Sequence, residues 1–112
     1  MEARREELRF LATRSSGEVG AILVRPRDAR AALVLAHGAG AGMRHVFLES
    51  LAQALASHGV ATFRWQFPYT EKGSKAPDPQ PMLLASARSA VAAATGAVPD
   101  LPLFAGGKSM GG

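Results

Sequence analysis

Leu33-Val-Leu-Ala-His-Gly-Ala-Gly-Ala-Gly-Met43, "LVLAHGAGAGM", runs from an apolar stretch straight into a glycine-rich turn. The residues at 31–36, "AALVLA", are apolar without alternation. A short run of that kind predicts a strand covered on both faces, as in a parallel sheet. Glycine-rich turns after such strands often cradle a dinucleotide, through the pattern G-x-G-x-x-G. Started at Gly38 and Gly40, the pattern requires glycine where Met43 stands; started at Gly40 and Gly42, it meets His45. No acidic residue closes the next strand, "VATFRWQ", to hold a ribose. The turn therefore has to be read with what surrounds it.

Downstream, Phe47, Leu48, Leu51, Ala52 and Leu55 recur at spacings of one, three and four, which is one stripe of a helix. His58 falls in its last turn, and Gly59 is placed to end it. Residues 60–65, "VATFRW", predict the next strand, and Phe67 to Pro79 a proline-rich loop. Pro81 suits the first turn of a second helix, where a missing N–H costs nothing. That helix runs to about Thr95, with Leu84, Ala87, Val91 and Ala94 on one face, mostly small enough to let it approach a sheet closely. Gly96 and Pro99 end it, and "LPLFAG" at 101–106 is the last strand. Upstream, "ELRFLATR" at 7–14 alternates and "EVGAILVR" at 18–25 is rich in β-branched residues, with Ser15-Ser16-Gly17 between them. That predicts an antiparallel hairpin. The whole is an α/β chain: a hairpin followed by a parallel βαβαβ unit, five strands and two helices.

The composition is globular, with 112 residues, 47% hydrophobic and 20% charged. No apolar run is long enough to span a bilayer. With 0 cysteines, neither a disulfide framework nor a thiolate metal site can form, which fits a cytoplasmic setting. The net charge of +4 raises the question of nucleic acid. The arginines are scattered, however, with no basic stripe on a helix and no interleaved aromatics, so no nucleic-acid partner is expected. The three histidines share no ligand spacing, and no metal or other cofactor is expected.

The last strand leads into Gly107-Lys108-Ser109-Met110-Gly111, which fits G-x-S-x-G. A serine nucleophile must project above the sheet edge on a sharp strand-to-helix turn. Residues two before and two after it then lie against neighbouring backbone, where a Cβ would clash, so both are glycine. The N–H of Met110 is placed to meet an oxyanion. A phosphate loop shares Gly107-Lys108-Ser109, but its opening glycine falls on Pro102, and residues 103–106 read as strand.

Taken together, the His37-Gly38 turn after the third strand and the GKSMG turn after the fifth resemble the α/β-hydrolase superfamily. More narrowly, they resemble its small dienelactone-hydrolase-like branch, related to hydrolase-like domains of testis-expressed and chromatin-complex subunits. The resemblance covers essentially the whole chain. It implies that Ser109 is the nucleophile and that the N–H groups of Met110 and Ala39 form the oxyanion hole. Gly107 and Gly111 would make room at the elbow, and Gly38 and Gly40 would shape the upstream loop. His37 would brace that loop by hydrogen bonds. Trp65, Phe67 and Tyr69 would either line a substrate pocket or pack the following loop against the sheet. Read from their places in the sequence, Lys108 is expected to face solvent or donate a loop hydrogen bond and not to act as a base, and His45 to be an ordinary loop residue. The implied substrate is a small ester, thioester or lactone, with no cofactor.

In this fold the triad runs Ser, then Asp or Glu, then His. Only Met110, Gly111 and Gly112 follow Ser109, and every histidine lies upstream. The expectation is a single domain over 1–112, the N-terminal half of a hydrolase ending at its nucleophile elbow and inactive by itself. The last strand would then present an apolar edge open to self-association. Two other readings stay open: a non-catalytic hydrolase-like interaction module, and a nucleotide-binding module built on the glycine loops.

Overall fold

The computed structural model describes residues 3–38, 42–74 and 76–107. Strands β1 (Ala3–Thr13) and β2 (Gly17–Pro26) form an antiparallel hairpin in which Leu8 lies opposite Ala21 and Phe10 opposite Val19. The backbone of residues 14–16 turns on side chains: the Ser16 N–H donates to Thr13 Oγ1 at 3.0 Å. β1 starts earlier than the alternating run at 7–14 suggests, because Ala3 to Glu6 pair with Leu23 to Pro26 while their charged side chains stay in solvent. Charges of this kind suit the outer strand of a sheet, where they discourage further pairing.

β3 (Ala31–Ala36), helix α1 (Val46–Ser57), β4 (Val60–Trp65), α2 (Pro68–Glu71), α3 (Gln80–Ala97) and β5 (Leu103–Gly107) complete the chain. The five strands make one mixed sheet in the order β1-β2-β4-β3-β5. β2 pairs antiparallel with β4, while β4 and β5 both run parallel to β3. This is the architecture the sequence predicts, with the hairpin joined to the βαβαβ unit through β4.

Side chains alternate across the sheet, and each face takes its own helix. Ala61, Phe63 and Trp65 of β4 join Ala21, Leu23, Ala32 and Val34 in the main core, which α3 closes with Ala90 and Ala94, and Val98 just past its end. On the opposite face Ile22 and Val24 meet Met43 and Ala56 beneath α1. α1 buries Leu48, Ala52 and Ala56, spaced four apart, and leaves Phe47 half exposed. His58 and Gly59 end α1, Gly59 at φ +80°, where L side chains are strained.

Two expectations need correction. α3 does not bury Leu84 and Val91, which are 48% and 37% exposed; its sheet-facing row is Ser86, Ala90 and Ala94, with Ala87 beside it. The smallest side chains win that face because they let the helix axis come closest to the strands, which larger leucines would hold off. The stretch from Phe67 to Pro79 is also not wholly a loop. Pro68 sets the φ of a first helical turn, the Lys72 N–H donates to the Pro68 carbonyl, and α2 forms. Glu71 at its end accepts the Gly20 N–H at 2.9 Å, which fastens α2 to β2.

Candidate functional site

Sheet register decides which residues share the carboxyl edge. β5 and β3 are neighbours, and Gly107 lies opposite Ala36. The chain therefore leaves β5 beside the point where it leaves β3, one residue before His37. Across β3, Trp65 is the partner of Ala36 on β4. β3, β4 and β5 thus end side by side at one edge of the sheet, with Ala36, Trp65 and Gly107 in register.

His37 links the ends of β3 and β4. It is fully buried. Its Nε2 accepts the Phe67 backbone N–H at 3.1 Å, and its Nδ1 lies 2.9 Å from the Gly38 carbonyl. One tautomer satisfies both contacts: Nδ1–H donates to Gly38, and Nε2 keeps its lone pair for Phe67. Burial pushes the imidazole pKa below its usual 6.5, partly opposed by the Gly38 hydrogen bond, so the ring is neutral at pH 7.

Around His37 stands an aromatic group. Phe67 meets it edge-on at 5.1 Å between ring centres, and Tyr69 at 5.9 Å. Trp65 and Phe67 are 4.3 Å apart, and Phe67 and Tyr69 stack at 6.0 Å. All three aromatics are buried and belong to the main core. The Tyr69 N–H donates to the Asp78 carboxylate at 2.9 Å, tying α2 to the segment before α3. Burial pushes the Tyr69 phenol up. Trp65 also walls a cavity of about 190 Å³, together with Val34, Ala36, Val91, Ala105 and Gly106. That space lies between α3 and the carboxyl ends of β3 and β5.

Of the sequence-predicted site residues, the structure brings together His37, Gly38, Trp65, Phe67, Tyr69 and Gly107. Ala39, Gly40, Ser109, Met110 and Gly111 lie outside the described residues, as does Lys108. His45 is not an ordinary loop residue: it caps α1, its Nδ1 accepting the Phe47 N–H at 3.1 Å. Among the described residues no group of three or more His, Asp or Glu could hold a metal ion. Among the described residues no helix is long and apolar enough to cross a membrane.

Sequence reasoning passed over a polar cluster behind the turn. Arg64 of β4 is fully buried on the α1 face. Its Nη1 donates to the Met43 carbonyl at 3.3 Å and to Glu49 Oε1 at 3.0 Å. Glu49 also accepts from Arg5 at 3.0 Å and from Gln53 at 3.2 Å. Hydrogen bonds from Arg5, and then from Gln53 and Arg64, hold its carboxyl down to about 2. The signal was present in "VATFRW": Thr62 and Arg64 alternate with Ala61, Phe63 and Trp65, so a buried strand had to hide a guanidinium on one face.

The alpha/beta hydrolase domain family matches the chain over residues 29–112. No curated protein sequence matches it. Among solved structures, the dienelactone hydrolase of Anabaena variabilis superposes with a TM-score of 0.84 at 18% identity, over 100% of this chain and 55% of that one. A cold-adapted esterase from an Arctic intertidal metagenomic library gives 0.77 at 15%, over 99% of this chain and 53% of that one. A Xanthomonas campestris serine hydrolase described as lacking a lid gives 0.76 at 16%, over 99% and 53%. The chain thus spans about half the length of these structures.

Proposed function

The chain belongs to the alpha/beta hydrolase family, and from that premise we propose that it is the nucleophile-bearing portion of a serine hydrolase acting on an ester, thioester or lactone. The observation that supports this most is the pairing of Ala36 with Gly107. It sets the start of the His37-Gly38 turn beside the start of the G-x-S-x-G turn. In the proposed mechanism Ser109 Oγ attacks the substrate carbonyl while a histidine base takes the hydroxyl proton. The resulting oxyanion is met by the N–H groups of Ala39 and Met110. The carbonyl re-forms, the protonated alcohol or thiol leaves, and an acyl-serine remains. Water attacks that ester in the same way, releasing the acid and restoring Ser109.

His37 serves as the brace of the upstream loop, not as the base. Both its nitrogens are engaged by backbone, so it has no free site for a serine proton. Gly38, Gly40, Gly107 and Gly111 leave room at the two turns. The apolar cavity walled by Trp65, Ala105 and Gly106 lies under the elbow strand and is the space offered for an acyl chain. Phe67 and Tyr69 support that wall from behind.

The test is labelling of the complete polypeptide with a fluorophosphonate probe, alongside hydrolysis of a series of p-nitrophenyl esters. The wild type labels and turns over; Ser109→Ala does neither. A wild type that resists the probe and cleaves none of the esters overturns the reading.

A second reading rests on β5. Among the described residues it is one of the sheet's two outer strands, the other being β1, and Phe104 on it is 61% exposed. Such an edge is suited to pairing with a second copy of the chain. Light scattering then gives a dimer that Phe104→Lys dissociates; a monomer at every concentration removes this reading.

A further inference from the structure

We propose that Arg64 is a positioning residue: it fixes the rear of the turn at 38–43 by holding the Met43 carbonyl, and so sets where that turn's backbone amides point. The inference deepens the hydrolase reading, on which it rests for the meaning of the turn.

Strand register puts Arg64 between Ile22 of β2 and Leu35 of β3. Ile22, Val24, Met43 and Ala56 form an apolar cluster on this face. A methionine or leucine in the slot would satisfy the hydrophobic effect. The arginine instead brings a buried charge, and its Nε and Nη2 have no partner among the described residues. Buried ion pairs roughly break even against apolar replacements, and orphaned donors count against them. Fold stability therefore does not account for an arginine here. What it alone supplies is a donor that reaches the Met43 carbonyl from the sheet.

The front of the same turn is held from the same strand. The Phe67 N–H, just past the end of β4, donates to His37. Between the two holds, Gln66 lies close beside Gly42, where an added Cβ would come 2.7 Å from Gln66 Oε1. The stretch Arg64 to Phe67 thus holds His37 on one side of the glycine-rich segment and Met43 on the other. Arg64 itself is kept in place by Glu49 of α1, which Arg5 of β1 holds in turn. A donor that stabilises an oxyanion has to sit within about 0.5 Å of its working position, and a turn tethered at one end only does not ensure that.

The experiment uses Arg64→Met in the complete polypeptide, with Arg64→Lys as the conservative variant. Two readouts are taken. Hydrogen exchange of the amides at 38–43 is expected to quicken at least tenfold in Arg64→Met, with α3 and β2 unchanged. The kcat for an activated ester is expected to fall about 10–100-fold with KM within about threefold, and Arg64→Lys to recover part of it. A merely structural role would lower Tm but leave the folded enzyme's kcat and local exchange alone. Should Arg64→Met give no cooperative melt, Arg64→Lys against wild type carries the same comparison. Unchanged exchange at 38–43 in a folded variant overturns the proposal whatever the activity. A wild type without esterase activity sinks the hydrolase reading instead, and exchange still decides whether Arg64 holds the turn.

Discussion

Replacing His37 by phenylalanine isolates what its two ring nitrogens do. The substitution keeps a planar ring of similar volume against Phe67 and Tyr69, so little cavity opens. It removes the acceptor for the Phe67 N–H and the donor to the Gly38 carbonyl. Both residues are buried, so water does not readily replace either partner. Each stranded buried group costs about 1–3 kcal/mol, so His37→Phe, which strands two, is expected to lose roughly 2–6 kcal/mol at pH 7.5. Urea unfolding followed by Trp65 fluorescence measures it. The pH dependence gives an independent check. The folded state holds His37 below its usual 6.5, so below that pH the unfolded chain binds a proton that the folded chain refuses. Wild-type stability is therefore full above pH 6.5 and falls as pH drops toward the folded value. His37→Phe lacks this loss, and the gap between the two proteins narrows from pH 7.5 to 5. A loss under about 1 kcal/mol, or a gap that stays constant across that range, refutes the assignment of a neutral, doubly bonded imidazole.

Glu49→Gln keeps the shape of the side chain but leaves the buried Arg64 without its anion. It is expected to cost about 1–3 kcal/mol at pH 7, the lower end reflecting Glu49's partial exposure. Because the Glu49 carboxyl is held down at about 2 from an ordinary 4.5, wild type loses this contribution as pH falls through that interval, and the variant shows a shallower acid limb in thermal melts. Ala90→Leu forces extra carbons between α3 and the sheet at a position with no exposure and is expected to cost about 1–3 kcal/mol, while Leu84→Ala on the solvent side costs under about 1 kcal/mol; the reverse order in urea midpoints would show that α3 is turned the wrong way.

The fold was largely legible because its signals are local and redundant. The unbroken apolar run "AALVLA" reads as a covered strand, and His58-Gly59 marks the end of α1, with His58 the cap after Ser57 and not part of the last turn. The failure of G-x-G-x-x-G at Met43 and His45 could likewise be read letter by letter. The misses have a shared cause. Leu84 outranks Ser86 on any hydrophobicity scale, yet the distance between helix and sheet selects the smaller side chain, and distance is a tertiary quantity. The same holds for Trp65, Phe67 and Tyr69, where the sequence left pocket wall and core packing open; the structure puts all three in the core. Arg64 reads as a surface charge until its strand is known to lie between two others and under a helix. His45 became a cap because α1 starts one residue later, a boundary that periodicity does not resolve.

The order β1-β2-β4-β3-β5 has a consequence for synthesis on the ribosome. β1 and β2 emerge in succession and close on each other with a short turn. β3 emerges next, but both its neighbours, β4 and β5, are still to be made. For that interval six mostly apolar residues carry two open ladders and no partner. Nascent chains of this kind are most prone to capture by chaperones or to wrong pairing in that window. Slowing translation just after β3 is thus expected to lower soluble yield, whereas a pause after β4 relieves it by letting β3 close on its first neighbour.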